Sequence, residues 1–293
     1  MTMYRGNTIS IEEDILKNEI MNTIWYFDYF QHALALREIH RYLGIRVRVS
    51  VLRKVLTELV EDQVIHEKQG FYAKNSDSII FRLKNEKRNR RWLVIAHYMG
   101  RLISLFPFVR SVFISGSLSK QGLRGEDDDI DFFLLVAPNR VWTAKFFLIL
   151  FKKIFLFNSH KFFCINLLRD EGHLSFDRRN IYIATEIVSL IPIGRPSYWR
   201  NLLMANKWVF DYFPNVRMPK LLKVNQKMNF YERLLSYFIG PRFEEWCRKR
   251  FENHVLQKQE KADSHYEISS QSSAYFPNNF QGRVLRHYYS IRN

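Results

Sequence analysis

One stretch of this sequence, residues 112–136, holds side chains whose types and spacing could do chemistry together: VFISGSLSKQGLRGEDDDIDFFLLV. Its two apolar ends read as strands. The second opens with Asp129-Ile130-Asp131, and alternate strand residues face the same way, so the two carboxylates share a side about 7 Å apart. Carboxylates so placed oppose each other's ionisation unless a positive charge lies between them. A hard divalent cation such as Mg²⁺ meets that need, because it takes oxygen ligands and binds through one or two carboxylates plus substrate phosphates. The first strand ends in Gly116-Ser117. A glycine there lets backbone N–H groups approach a phosphate, and the serine hydroxyl adds a donor. The plain structural alternative is a β-hairpin whose acidic run, Glu126 to Asp129, is a solvated loop; the position of Asp131 inside an apolar strand argues against it.

A hydrophobic strand ending in Gly-Ser, a gap of eleven residues, and then Asp129-Ile130-Asp131-Phe132 resembles the signature of the DNA polymerase β-like nucleotidyltransferase superfamily. The resemblance implies a nucleoside triphosphate (NTP) as substrate and Mg²⁺ or Mn²⁺ as cofactor. It implies catalytic and metal-holding roles for Asp129 and Asp131, and nucleotide contact by Gly116 and Ser117. Lys120 and Arg124, between the two halves of the motif, are candidates to neutralise the triphosphate. The family also carries a third acid on a third strand, here KFFCINLLRD, and this sequence departs from that pattern. Asn166 lies within the strand as a neutral oxygen ligand, Asp170 comes only at its end, and Glu186 follows in IYIATEIVSLIPI; all three stay open as the third ligand. The first functional expectation is an enzyme that transfers a nucleoside monophosphate to an unidentified hydroxyl. The second is a non-catalytic winged-helix regulator or nucleotide sensor on a degenerate nucleotidyltransferase fold.

Other elements must position this motif. Residues 12–31 read as a helix, with Ser10 as cap and Glu13 at capping-box spacing. Leu36 to Leu43, ended by Gly44, and Val49 to Glu61 read as two more, and VIHEKQGFYAK alternates around Gly70 like a hairpin. Three helices and a hairpin resemble a winged helix, whose third helix would carry Arg46, Arg48, Arg53 and Lys54 near its start, among acids. Residues 82–106 read as a long helix with a basic first third, which is ordinarily a solvated face and alternatively tracks a phosphate backbone. His97, on its apolar side, reads as core. Residues 140–157 read as a helix and 163–167 as a strand beside the motif; Ile181 to Leu190 reads as a helix bearing Glu186. The chain beyond Pro196 reads as helical, with a polar loop over 258–274. The expected fold is α+β, in three parts: a winged-helix-like domain at 1–80, a nucleotidyltransferase mixed-sheet core at 81–195 and a helical region at 196–293. The stretch 185–215 resembles the part that follows the core in a group of bacterial nucleotidyltransferase-domain proteins.

Composition narrows the class. Of 293 residues 47% are apolar and 16% aromatic, so a large core can form and the composition argues against disorder. The formal charge of +16 points to an anionic partner, nucleic acid being the first to consider, although the charge is spread along the chain and not gathered on one arm. Cys164 and Cys247 have no metal-ligand spacing and suit a reducing cytoplasm. The polar start MTMYRGNTIS lacks a signal-peptide core, and Phe146 to Phe157 is too short to span a bilayer, so no membrane partner is expected.

Overall fold

The computed structural model describes residues 3–123, 125, 128–194, 196–220, 230–259, 265–276 and 280–292. Helices α1 (Met3–Asp28), α2 (Leu36–Tyr42) and α3 (Val49–Glu61) come first, with strand β1 (Leu34–Ala35) between α1 and α2 and strands β2 (His66–Lys68) and β3 (Phe71–Ala73) after α3. The strands make an antiparallel sheet in the order β1-β3-β2. Helix α3 forms where the spacing of Leu52, Val55, Leu56 and Leu59 predicts it, and all four are buried. The β2–β3 turn uses Gln69 and Gly70, both at positive φ (55° and 79°), the two-residue turn whose twist suits an antiparallel pair. Helix α1 starts at Met3, so Ser10 lies inside it and does not cap it.

Helix α4 (Ser76–Ile103) runs unbroken across residues 80 and 81, where the sequence places a domain boundary. Its basic run is not uniformly solvated. Lys84, Lys87, Arg90 and Arg91 are exposed, but Arg82 turns inward and is 4% exposed. Its guanidinium donates to the Ala33 carbonyl (3.0 Å), to both Glu38 carboxylate oxygens (3.0 and 3.3 Å) and to Gln121 Oε1 (3.4 Å), and lies over the Phe71 ring. One side chain thus ties the residue before β1, α2 and β3 to the loop of the Gly-Ser motif. His97, read from the sequence as core, is only half-buried, with its ring bonded to the Leu93 carbonyl of the same helix.

The rest of the described chain contains β4 (Val109–Ile114), α5 (Gly116–Ser119), β5 (Asp131–Val136), α6 (Val141–Phe155), β6 (Cys164–Asp170), α7 (Ile181–Ser189), β7 (Ile191–Ile193), α8 (Pro196–Ala205), α9 (Val209–Tyr212), α10 (Phe230–Phe238), α11 (Pro241–Gln259), β8 (His265–Ile268), β9 (Ser272–Phe276) and α12 (Phe280–Arg292). A six-stranded sheet has the order β7-β4-β5-β6-β9-β8, and only β5 and β6, joined through α6, run parallel. The motif strands β4 and β5 and the predicted third strand β6 are therefore consecutive. Side chains alternate across the sheet. Phe113, Phe133 and Leu135 join one core with α1, α2, α3, α7 and α12. Val112, Ile114, Phe132, Leu134 and Val136 join a second core with α4, α6 and α11.

The C-terminal region is not wholly helical. The Ser-rich segment read as a loop contributes β8 and β9, which extend the sheet beyond β6. An edge hairpin needs few apolar side chains, and here Ser269 Oγ accepts from Gln271 N and Ser272 N in the turn, so serine satisfies the backbone. Among the described residues no helix is long and apolar enough to cross a membrane.

Removing the Arg82 guanidinium strands a partly buried carboxylate and a buried carbonyl. Arg82→Met should destabilise the protein by about 3–5 kcal/mol in urea unfolding monitored by circular dichroism. A loss below about 1 kcal/mol would show that the clamp does not hold α4 to the first three helices.

Candidate active site

The site forms where β4 ends and β5 begins. Ser115 N donates to the Asp131 carbonyl (2.9 Å), which brings the two ends side by side. Gly116 then takes φ +64°, and a Cβ built on it would lie 2.1 Å from Asp131 Oδ2. Glycine is required there twice over, by its left-handed backbone and by the carboxylate packed on its face. The Gly-Ser and Asp-x-Asp halves of the motif are thus two sides of one contact.

Asp129 lies just outside the strand, which begins at Asp131. The alternation nonetheless holds. Ile130 is fully buried and fixed by Lys161 O, which accepts from its N–H (2.9 Å), and by Cys164 N, which donates to its carbonyl (3.1 Å). The two aspartates flank it and are both half-buried. Burial pushes the Asp131 carboxyl up to about 7; a hydrogen bond from the Cys164 thiol opposes this, the charges of Asp129 and Glu186 add to it, and Lys120 counters them. Burial and the negative charge of both aspartates also push the Cys164 thiol well above its ordinary value, so it is a protonated donor and not a nucleophile.

Lys120 is brought into this group, but as a paired cation. Its Nζ donates to Glu186 Oε1 (2.9 Å) and Oε2 (3.0 Å) and to the Gly116 carbonyl (3.0 Å). Ser119 Oγ likewise donates to the Gly116 carbonyl (2.8 Å) and reaches Ser189 Oγ on α7 (3.3 Å). The loop after Ser117 is held by Gly122 N on the Ser117 carbonyl and by Asn89 of α4, whose Nδ2 donates to the Gln121 carbonyl (2.7 Å). Arg124, Glu126 and Asp127 lie outside the described residues.

The three open choices for a third ligand separate clearly. Asp170 pairs with Val136 at the far end of β5 and accepts from Asn139 N and Gly172 N (both 2.7 Å), so it organises loops and is not part of the site. Asn166 is the extra residue of a bulge, since Phe132 pairs with Ile165 and Phe133 with Leu167; its Oδ1 lies 3.8 Å from Cys164 Sγ, which itself bonds Asp131. Glu186 is close enough to act on Asp131 but is engaged by Lys120. Among the described residues no three His, Cys, Asp or Glu side chains group as a metal-holding set. Two carboxylates opposing each other's charge, with an amide oxygen nearby, still fit one hard cation completed by water and phosphate.

Cys164 is the site residue that sequence reasoning passes over. Its position as the first residue of the strand parallel to β5, paired with Asp131, is the signal that points to it. A cavity of about 400 Å³ lies elsewhere, lined by Tyr26, Tyr42, Trp208, Tyr212, Tyr288 and the Glu19–Arg292 ion pair, and none of the motif residues lines it. No protein-family model, no curated protein and no solved structure matches this chain.

Two outcomes follow from this geometry. Gly116→Ala should cost about 1–3 kcal/mol of stability, and Gly116→Ala combined with Asp131→Ala should recover the part due to the carboxylate but neither the backbone part nor the contact with the remaining Cβ. Strict additivity of the two substitutions in a thermodynamic cycle would contradict the contact. Because the folded Asp131 carboxyl titrates near 7 and the unfolded one near 3.8, the folded state binds the extra proton between about pH 4 and 7. Stability from this group is therefore lost as pH rises through that window. Without divalent ions, Asp131→Asn should gain stability relative to wild type as pH rises from 5 to 8, read as the difference in Tm; a difference constant with pH would contradict the assignment.

Proposed function

We propose that this chain is a divalent-metal-dependent nucleotidyltransferase that moves a nucleoside monophosphate from an NTP to a hydroxyl acceptor. The observation that carries the reading is the packing of the Asp131 carboxylate on Gly116, which joins the two halves of the family signature at one point. Asp129 and Asp131 would hold the ion, with Asn166 Oδ1 as a neutral oxygen. When bound, that ion would neutralise phosphate charge and make the acceptor hydroxyl easier to deprotonate. Gly116 and Ser117 would admit the triphosphate against the backbone. Lys120, held in place by Glu186, would keep a cation beside the phosphates and hold the Gly116 carbonyl away from them.

The first three helices with the β1-β3-β2 sheet support a winged-helix-like reading of residues 1–80, followed by a nucleotidyltransferase core at 81–195 and a C-terminal region at 196–293. The shared core and the unbroken α4 make the first part a fixed flank of the sheet and not a tethered module. The two free thiols suit a cytoplasmic setting.

A second reading, a nucleotide sensor without transfer activity, draws on the Lys120–Glu186 pair, which neutralises the nearest candidate for a third acid. The two readings part in one experiment. Incubated with cell extract, Mg²⁺ or Mn²⁺, and NTPs labelled at the α- or γ-phosphorus, an enzyme transfers only the α label to an acceptor. Asp129→Asn or Asp131→Asn should reduce that transfer about 100-fold or more without loss of fold. Retention of NTP with no covalent label would favour the sensor; full transfer by either variant would remove these carboxylates from the chemistry.

A further inference from the structure

Beside the carboxylate pair lies a surface that extends the basic run of α4, for which the sequence offers a solvated face or a phosphate track, to exposed aromatic rings. Between Lys87 and Gly125 the chain has no aspartate or glutamate, and none occurs between Phe132 and Arg169. Asp129 and Asp131 are thus set within two long stretches that carry only positive charge. On α4, Lys87, Arg91, Val94, Tyr98 and Arg101 recur three and four residues apart, so they share one face, and all are exposed. Arg91 and Arg101 make no ion pair among the described residues. The segment from the end of α6 to β6 projects Lys153, Phe155, Phe157, Lys161 and Phe162. Phe155 is 65% exposed, Phe157 92% and Tyr98 67%; a single exposed ring needs no explanation, but exposed rings that neighbour one another mark a contact surface.

These two pieces adjoin. Phe162 packs on Trp92 of α4 (5.5 Å between centroids), Lys161 Nζ lies over the same indole, and Phe106 just past α4 packs on Phe151 of α6 (5.2 Å). The surface also ends at the site, because the Lys161 carbonyl accepts from Ile130 N, between the two aspartates.

We infer that this face binds single-stranded nucleic acid and leads its end to Asp129 and Asp131. Exposed rings interleaved with cations that make no ion pair among the described residues suit bases that have a free face and phosphates that follow them. A duplex offers no free base faces to these rings. Helix α3 is the poorer surface for a polyanion: Lys54 and Lys17 are paired with Glu58, and Glu61, Asp62 and Glu67 are exposed around it. Only the strand's role as acceptor rests on the nucleotidyltransferase reading; the binding surface stands without it.

The test measures fluorescence anisotropy of end-labelled oligo-rU and oligo-dT with the full chain in EDTA and no NTP, so catalysis cannot influence it. Binding of at least one of the two is expected, with log affinity falling against log salt at about 0.7 per neutralised phosphate. The two oligomers separate RNA from DNA. Phe157→Ala and Phe162→Ala should each weaken binding about 5- to 100-fold, and Arg91→Glu with Lys153→Glu should weaken it further and flatten the salt slope. Arg53→Glu on α3 should leave it intact. All these side chains are exposed, and circular dichroism checks each fold. The inference is overturned if neither oligomer binds, if the α4 and tip substitutions have no effect, or if Arg53→Glu abolishes binding. It is equally overturned if the same substitutions release the protein only from phosphatidylserine vesicles, which would make the face a membrane contact. Oligomer binding without any α-label transfer would sink the enzyme reading and leave this surface standing.

Discussion

The site depends on one contact: a half-buried carboxylate laid against a glycine that cannot be anything else. Asp131 can sit there only because Gly116 has no side chain and tolerates a left-handed backbone. The arrangement is electrostatically unfavourable by itself. Burial, Asp129 and Glu186 all resist ionisation of Asp131, and the fold answers with one thiol donor and one lysine. A folded protein that keeps such a group at two adjoining strand ends holds local strain where chemistry would use it.

The surrounding architecture reads as support for that point. Ile130, buried between the aspartates, fixes their spacing through backbone bonds to Cys164 of β6 and to Lys161 in the segment before it. From α4, Asn89 holds the loop after Ser117, and Arg82 ties the same loop to the first three helices. From α7, Glu186 and Ser189 reach the Lys120 and Ser119 side chains. Each face of the sheet therefore contributes to the placement of Gly116, Lys120 and Asp131. That is why the N-terminal helices, although far from the motif in sequence, share a core with Phe113 and Phe133.

Much of this was legible in the sequence where a local pattern had one dominant cause. The α3 spacing, the Gln69-Gly70 turn and the strands around the motif are set by hydrophobic period and turn chemistry. The motif's spacing placed Gly116 and Asp131 on adjoining strand ends, although their contact needed coordinates. What escaped was decided by pairing between distant segments. Arg82 looks like its solvated neighbours until Glu38 and Ala33 are seen beside it. Strands β8 and β9 are too polar to announce themselves, because an edge hairpin borrows its partner from β6. The choice among Asn166, Asp170 and Glu186 turned on strand register and on a lysine, neither of which spacing encodes.

The central claim is that Asp129 and Asp131 form a cation site poised by the burial of Asp131 and, after it, by the charge of its partner. Calorimetric titration of Mg²⁺ into the full chain at pH 7, without nucleotide and in two buffers of different ionisation enthalpy, counts the protons released on binding. With the Asp131 carboxyl near 7, binding should release roughly half a proton per site in the wild type and none in Asp131→Asn. Mg²⁺ binding with no proton release, or release that persists in Asp131→Asn, would contradict the account, as would the absence of Mg²⁺ binding altogether.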